Sequence, residues 1–381
     1  MKIYNRLLNI DPNLNTSVFL FGPRGIGKTL WIKTHLKDGL YFDFLNMEIF
    51  NEFVANPTRL EKRIPKGFKQ FIILDEVQKI PEILNEVHRL IETYGYRFVL
   101  TGSSARSLRR KGVNLLAGRA LNYIMHPLTC YELAEDFSLK TALQFGLLPQ
   151  IYHSLDPKHY LETYVFNYLR EEILQEGIMR NLNAFARFLE TASFSQGNII
   201  NMSEIAREAV LDRKAVSSYF DIVEDLLMSY RLPPFTKRAK RRLILHHKFY
   251  YFDPGLYRVL RPMGPLDITD EIDGASLETL FLAHLRAVND YYRLGYKLYY
   301  WRTSNGHEVD FIVYGERGLF AFEIKRKRSI HRSDLNGLNA FANDYTMAKC
   351  YLLYGGDSEE FHDKIHILPF VEGLQRLINI L

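Results

Sequence analysis

The sequence predicts an α/β protein in which a parallel sheet carrying a phosphate-binding loop is followed by a helical segment, a helix-turn-helix and a second α/β domain. Three observations predict this. Gly22, Pro23, Arg24, Gly25, Ile26, Gly27, Lys28 and Thr29 complete the pattern G-x-x-x-x-G-K-[ST] between the apolar run 17–21 and a helical stretch. Apolar runs at 39–45, 71–74 and 96–101 alternate with helical patterns at 48–56 and 80–93, as in repeated βα units. Strand-like runs return at 296–302, 309–314 and 319–324, separated by turns at Asn305-Gly306 and Arg317-Gly318.

The loop comes first because its chemistry is the most specific. Glycines let successive backbone N–H groups approach an anion, and the N-terminus of the following helix adds positive potential behind it. Lys28 then reaches the β- and γ-phosphates, Thr29 offers its hydroxyl to Mg²⁺, and Leu30 completes the first turn of the nucleotide-binding stretch. The third strand ends in Asp75 and Glu76, which suit Mg²⁺ coordination and orientation of the attacking water. A hydroxyl after the fourth strand, from Thr101, Ser103 or Ser104, can sense the γ-phosphate, and Ser103 is the chosen candidate. Arg106, Arg109, Arg110 and Arg119 are candidates for stabilising transition-state charge within the chain or from a neighbouring copy, with Arg119 preferred because a glycine turn precedes it.

These residues, together with Leu116-Ala117-Gly118-Arg119 and the stretch from His126 to Leu133, resemble the AAA-type P-loop ATPases of archaea and bacteria. In that family the ATPase is joined to a C-terminal domain of uncharacterised function. The resemblance implies an ATPase using ATP and Mg²⁺, with an AAA-type core at 1–135 and a helical lid at 136–192.

A helix-turn-helix is expected within 193–258. Ser203 can cap a helix ending near Val210, and Asp212 can cap a second whose buried face is Val216, Tyr219, Phe220, Val223 and Leu227. Arg213, Lys214, Ser217 and Ser218 lie off that face near the helix start, where a recognition helix presents groups to a major groove. The module looks like a winged helix-turn-helix, with strands at 242–245 and 249–252 as its wing and the basic run Lys237 to Arg242 before them. Structural packing, or an edge strand guarded by its charges, is the alternative.

A turn-rich stretch from Asp253 to about Gly274 suggests a boundary, with the last domain at 270–381 and a helix beginning at Ser276. Alternation places Glu323 and Lys325 on one strand face, which Asp310 of the neighbouring strand can share, and Glu278 on the helix can join them. Three carboxylates and a lysine suit a magnesium-dependent phosphodiesterase. The set resembles the restriction-endonuclease-like fold of Holliday-junction resolvases, and residues 306–312 are similar to the ATPase family's own C-terminal motif. A surface ion pair is the alternative. Lys325 to Arg328, His331 and Arg332 could guide a nucleic-acid backbone or simply be solvated.

Composition narrows the classes. With 381 residues, 47% of them hydrophobic, the chain has room for several cores. Its net charge of +5 is too small to prove a polyanionic partner, although the basic residues are clustered. Cys130 and Cys350 suggest neither a disulfide framework nor zinc. The N-terminus has no apolar signal-like region and no apolar run is long enough to cross a bilayer, so a soluble cytoplasmic protein is expected, with no membrane partner. The expected activity is Mg-dependent ATP hydrolysis coupled to DNA binding or remodelling, possible as a homo-oligomer. The alternatives are an ATP-gated nuclease and a nucleotide-dependent regulatory or scaffold protein acting on a protein partner.

Overall fold

The computed structural model describes residues 2–103, 116–175, 182–265 and 267–381. The chain forms two compact units: Asn5–His126 with Asp225–Met228, and Met1–Tyr4 with Pro127–Glu224 and Ser229–Leu381.

In the first unit five strands, β1 (Ser17–Phe21), β2 (Leu40–Asp43), β3 (Phe71–Asp75), β4 (Arg97–Gly102) and β5 (Ala120–Ile124), form one parallel sheet in the order β2-β3-β4-β1-β5. Their near-continuous apolar runs reflect burial on both faces: Val18, Phe19, Leu20, Ile72, Leu74, Val99 and Leu100 are fully buried. Parallel register brings all strand C-termini to one edge, with Phe21 beside Gly102 and Ile124, and Asp43 beside Asp75. The crossover helix Ile83–Tyr94 buries Ile83, Leu84, Val87 and Leu90 and is stopped by Gly95 in the left-handed region at φ 68.

The second unit opens with the short helices Cys130–Leu133 and Leu139–Phe145, continues with Pro157–Gln175 and Leu182–Ser193, and then forms the pair Met202–Glu208 and Arg213–Asp225. Asn201, two residues earlier than the expected Ser203, caps the first of that pair by accepting from Glu204 N. Asp212 does cap the second, accepting from Ala215 N at 2.7 Å. Strands β6 (Ser229–Leu232) and β7 (Lys248–Tyr251) then form an antiparallel pair.

This pair corrects the expected wing. Residues 242–245 form no strand with 249–252; they lie along the edge of the C-terminal sheet, where Ile244 N donates to Arg302 O and Ser304 N to Arg242 O. Phe235 draws the connection there, because its ring is buried among Trp301, Phe341 and Tyr345. The turn-rich stretch is also largely helical. Pro254–Leu260 is a helix capped by Asp253, and the long helix begins at Thr269 instead of Ser276.

The C-terminal sheet has six strands: β8 (Lys297–Arg302), β9 (Glu308–Gly315), β10 (Gly318–Lys325), β11 (Lys349–Tyr354), β12 (Glu360–His362) and β13 (Ile365–Pro369). Their order is β12-β13-β11-β10-β9-β8. Phe320 and Phe322 pack with Phe281 and Leu285 of helix Thr269–Tyr291 and Leu374 of the last helix. Ala321 packs on the opposite side with Leu338 and Phe341 of helix Asn336–Asp344. Strand alternation therefore feeds two apolar layers. Among the described residues no helix is long and apolar enough to cross a membrane.

Candidate functional site

The strand C-termini of the first unit gather the expected nucleotide residues. Gly27 caps helix Lys28–His35 at φ 93, a conformation that favours glycine. Gly22 has no room for a side chain, since a Cβ there would lie 2.4 Å from Ile26 Cδ1 and 2.5 Å from the Met125 carbonyl oxygen. Lys28 is buried, and its Nζ donates to the carbonyls of Gly22 at 2.6 Å and Pro23 at 2.9 Å, folding back over its own loop. Arg6 fastens the loop from outside by donating to Ile26 O at 2.7 Å and to His126 O. Arg24 is half-buried, while Gly25 and Leu30 are exposed.

Asp75 is buried at the tip of β3 and accepts three hydroxyl donors: Thr29 Oγ1 at 2.8 Å, Tyr41 and Thr101. The Thr29–Asp75 bond joins the phosphate loop to the carboxylate strand and sets two hard oxygen groups side by side, the donor chemistry Mg²⁺ prefers. Burial and Asp75 together push the Tyr41 phenol well above the usual tyrosine range, so it remains a donor. Glu76 follows in the left-handed region at φ 61, and its backbone N–H donates to Thr101 Oγ1 at 3.0 Å. Gln78 donates to the Glu76 carboxylate and, at 3.4 Å, to Ser103 Oγ, while its own Oε1 is buried without a hydrogen-bond partner. Thus Thr101 is tied to Asp75, and Ser103 sits beside Gln78. Tyr41, Gln78 and Arg6 escaped the sequence reading; an aromatic-acid alternation at 41–43 was the available signal for Tyr41 alone.

Of the two placements expected for Arg119, the one at its own chain's loop is not found. Arg119 precedes β5, whose Ala120 pairs with Ser17 at the start of β1, whereas the phosphate loop follows Phe21 at the other end. The two edges are separated by roughly 15 Å at about 3.3 Å per residue, too far for Arg119 to reach the loop of its own chain. Its guanidinium pairs instead with Glu92 of the crossover helix. Arg106, Arg109, Arg110 and Ser104 lie outside the described residues.

In the second unit Arg213, Lys214, Ser217 and Ser218 are exposed on the first turns of their helix, while Val216, Phe220 and Val223 are buried. Phe220 fixes the helix edge-on against Phe188 and Phe249. The basic run 325–328 is matched by acids: Lys325 by Glu323, Arg326 by Asp270 and Asp273, Lys327 by Asp334, and Arg328 by Asp357.

Glu278, Asp310, Glu323 and Lys325 do converge, with additional members. Lys325 Nζ lies 2.5 Å from Glu323 Oε1, Ile324 N donates to Asp310 Oδ2 at 2.9 Å, and Tyr250 OH donates to Glu278 Oε2 at 2.8 Å. Lys248, which the sequence reading passed over, sits 2.5 Å from Glu308 Oε1 and 3.5 Å from Asp310 Oδ1. Burial, then the charge of Asp310, raises both Glu278 and Glu323 well above the usual carboxylate range. Burial opposes the charge of Lys248, yet Asp310, Glu278 and Glu308 together outweigh it and hold the ammonium above the usual lysine range. Among the described residues no three His, Cys, Asp or Glu side chains are grouped so as to hold a metal ion. The four expected residues meet, with the ammonium groups of Lys248 and Lys325 set among the carboxyl oxygens.

Comparisons with known proteins divide the chain into three. Residues 14–134 match the model of an AAA domain, 136–267 a domain of unknown function (DUF8612), and 273–372 another domain of unknown function (DUF4143). An uncharacterized protein of Mycobacterium tuberculosis is 26% identical over 357 residues, covering 89% of this chain and 76% of that protein. Another, from Methanocaldococcus jannaschii, is 24% identical over 352 residues, covering 83% and 76%. Among solved structures, the Orc1 protein of Aeropyrum pernix, determined in complex with DNA, is similar with a TM-score of 0.26 and 12% identity, covering 71% of this chain and 88% of that one. The phosphate loop, the acidic strand tip and the match over 14–134 together describe an AAA-like P-loop domain, placed before two domains of unknown function.

Proposed function

We propose that this protein hydrolyses Mg·ATP in its N-terminal domain and couples hydrolysis to binding or remodelling DNA. The observation that carries the ATPase reading is the 2.8 Å bond from Thr29 Oγ1 to Asp75 Oδ2, with Glu76 next in sequence. Gly22 to Leu30 would hold the nucleotide phosphates, and Thr29 and Asp75 the Mg²⁺, whose charge supplies Lewis-acid stabilisation of the transferring phosphoryl group. Lys28 exchanges its loop carbonyl partners for phosphate oxygens. Glu76 orients and deprotonates the attacking water, Gln78 holds the Glu76 carboxylate, and the γ-phosphate is reported by Ser103 through Gln78 or by Thr101 through Asp75 and the Glu76 amide. A charge-stabilising arginine from another copy of the chain fits the distance of Arg119 from its own loop.

DNA is supported by the exposed quartet Arg213, Lys214, Ser217 and Ser218 at the start of a helix whose other face is firmly packed. The pairing of Lys325 to Arg328 with acids favours a second reading, in which the C-terminal domain contacts a protein and ATP acts as a regulatory switch. An ATP-gated nuclease draws support only from the meeting of Glu278, Asp310, Glu323 and Lys325. One experiment separates the first two readings: ATP turnover and duplex binding measured together across salt. The DNA reading expects turnover that responds to duplex, abolished by Lys28→Ala, and a salt-dependent affinity whose slope is reduced in the Arg213→Ala/Lys214→Ala protein. Turnover indifferent to DNA, with no binding at low salt, would leave the regulatory reading.

A further inference from the structure

Lys248 opens β7 and is 2% exposed, surrounded by carboxyl groups from two other elements. Its Nζ contacts Glu308 and Asp310 and lies over the Tyr300 ring at 5.6 Å. The remaining oxygens are largely committed. Asp310 Oδ2 accepts from a backbone amide, Glu278 Oε2 from Tyr250, and Glu323 Oε1 from Lys325. Glu323 Oε2 is the exception: it is buried and has no hydrogen-bond partner.

Four carboxyl groups meet here, those of Asp310 and Glu323 buried and those of Glu278 and Glu308 half-buried, and a buried carboxylate without a cation is strongly disfavoured. Two lysines and Arg302, 3.3 Å from Glu308, supply the opposing charge. A hard divalent cation would need those same oxygens. We propose that Lys248 is the built-in counter-cation of this cluster, and that it competes with a divalent cation for the oxygens of Glu308 and Asp310. The orphaned Glu323 Oε2 is the oxygen left over when an ammonium, with its smaller charge, occupies the place.

The competition has a mechanical side. Lys248 shares β7 with Phe249, whose ring packs on Phe220 of helix Arg213–Asp225, and β7 is paired with β6. Displacing the lysine therefore loosens the strand against which that helix rests. Cation occupancy and the seating of the helix are linked, whichever way ATP hydrolysis in the other unit proves to work.

The test uses the full chain without nucleotide and Mn²⁺ as the probe, with binding read from the electron paramagnetic resonance of free Mn²⁺. Lys248→Met should gain one Mn²⁺ site that Asp310→Asn removes, with affinity raised by about tenfold or more over wild type. Its melting temperature should fall in EDTA and recover with Mn²⁺. If the variant is unfolded in EDTA, folding on Mn²⁺ addition supports the competition and failure to fold with Mn²⁺ counts against it. In the wild type, Mn²⁺ bound through Asp310 should speed hydrogen exchange across Lys248–Tyr251. A wild-type Asp310-dependent site as tight as the variant's, or a folded variant without such a site, overturns the proposal.

Discussion

The phosphate-loop site and the carboxylate cluster both place a buried aspartate at a strand, yet they are wired differently. Asp75 is held by three neutral hydroxyls, from Thr29, Tyr41 and Thr101. Asp310 is held by an ammonium and a backbone amide. Hydroxyl donors orient a carboxylate without cancelling its charge, so a cation retains a reason to bind. An ammonium cancels the charge and occupies the space. The first arrangement suits a site waiting for Mg²⁺; the second is already satisfied by the chain itself.

The sharpest way to break this contrast is through Glu76. Glu76→Gln preserves the shape beside Asp75 and the contact with Gln78 while removing the base, so ATP turnover should fall by about 10²–10⁴-fold with nucleotide affinity retained. Single-turnover kinetics beside equilibrium nucleotide binding would check it. A variant that hydrolyses at the wild-type rate would remove Glu76 from the chemistry and leave the first site a binding site.

Legibility divides along the same line. The phosphate loop was readable because eight consecutive residues carry its chemistry, and Asp75-Glu76 because a buried strand ends in them. The parallel sheet was readable from strand-length apolar runs separated by helices. The second cluster was readable only in part. Glu323 and Lys325 share a strand face by local alternation, but Lys248 lies far away in sequence, at the end of a region dense in exposed basic residues. Nothing local distinguishes it from Lys240; only its position at the head of the aromatic run Phe249 to Phe252 hints at burial. The wing was misplaced for a related reason. Residues 242–245 have the pattern of a strand, yet their partners at 302–304 are specified by the burial of Phe235, which no pattern over 242–245 reveals.

Burial in the second unit also predicts a pH response. His284 is fully buried, its Nε2 accepting from Cys130 N at 2.8 Å and its Nδ1 donating to Leu280 O, so the ring is held neutral. Burial lowers its pKa from 6.5 to about 4. As pH falls through that window the unfolded chain takes up a proton that the folded chain refuses, so stability falls by about 3 kcal/mol, at 1.36 kcal/mol per pH unit. Asp253 acts in the opposite direction, because burial raises its pKa from 3.8 to about 6 and the folded chain protonates first. The two nearly cancel in the wild type, so the His284 contribution is visible only by difference. Relative to wild type, His284→Gln should gain stability as pH falls from 6.5 towards 4, measured by urea unfolding across that range. A constant difference would mean that the imidazole is not held neutral by its burial.

The finest test returns to the hydroxyls around Asp75. Tyr41→Phe removes one of three donors while leaving the ring beside Lys33, whose ammonium lies 4.8 Å from its centroid. The remaining bonds from Thr29 and Thr101 still orient the carboxylate, so the expected loss is about 1 kcal/mol of stability and less than about tenfold in turnover. The direction at the metal is more telling than the size. With one competing donor gone, Asp75 has a freer oxygen for Mg²⁺, and the Mg²⁺ concentration needed for half-maximal turnover should stay level or fall. A large rise would show that Tyr41 does more than satisfy the carboxylate, and that the hydroxyl shell itself builds the cation site.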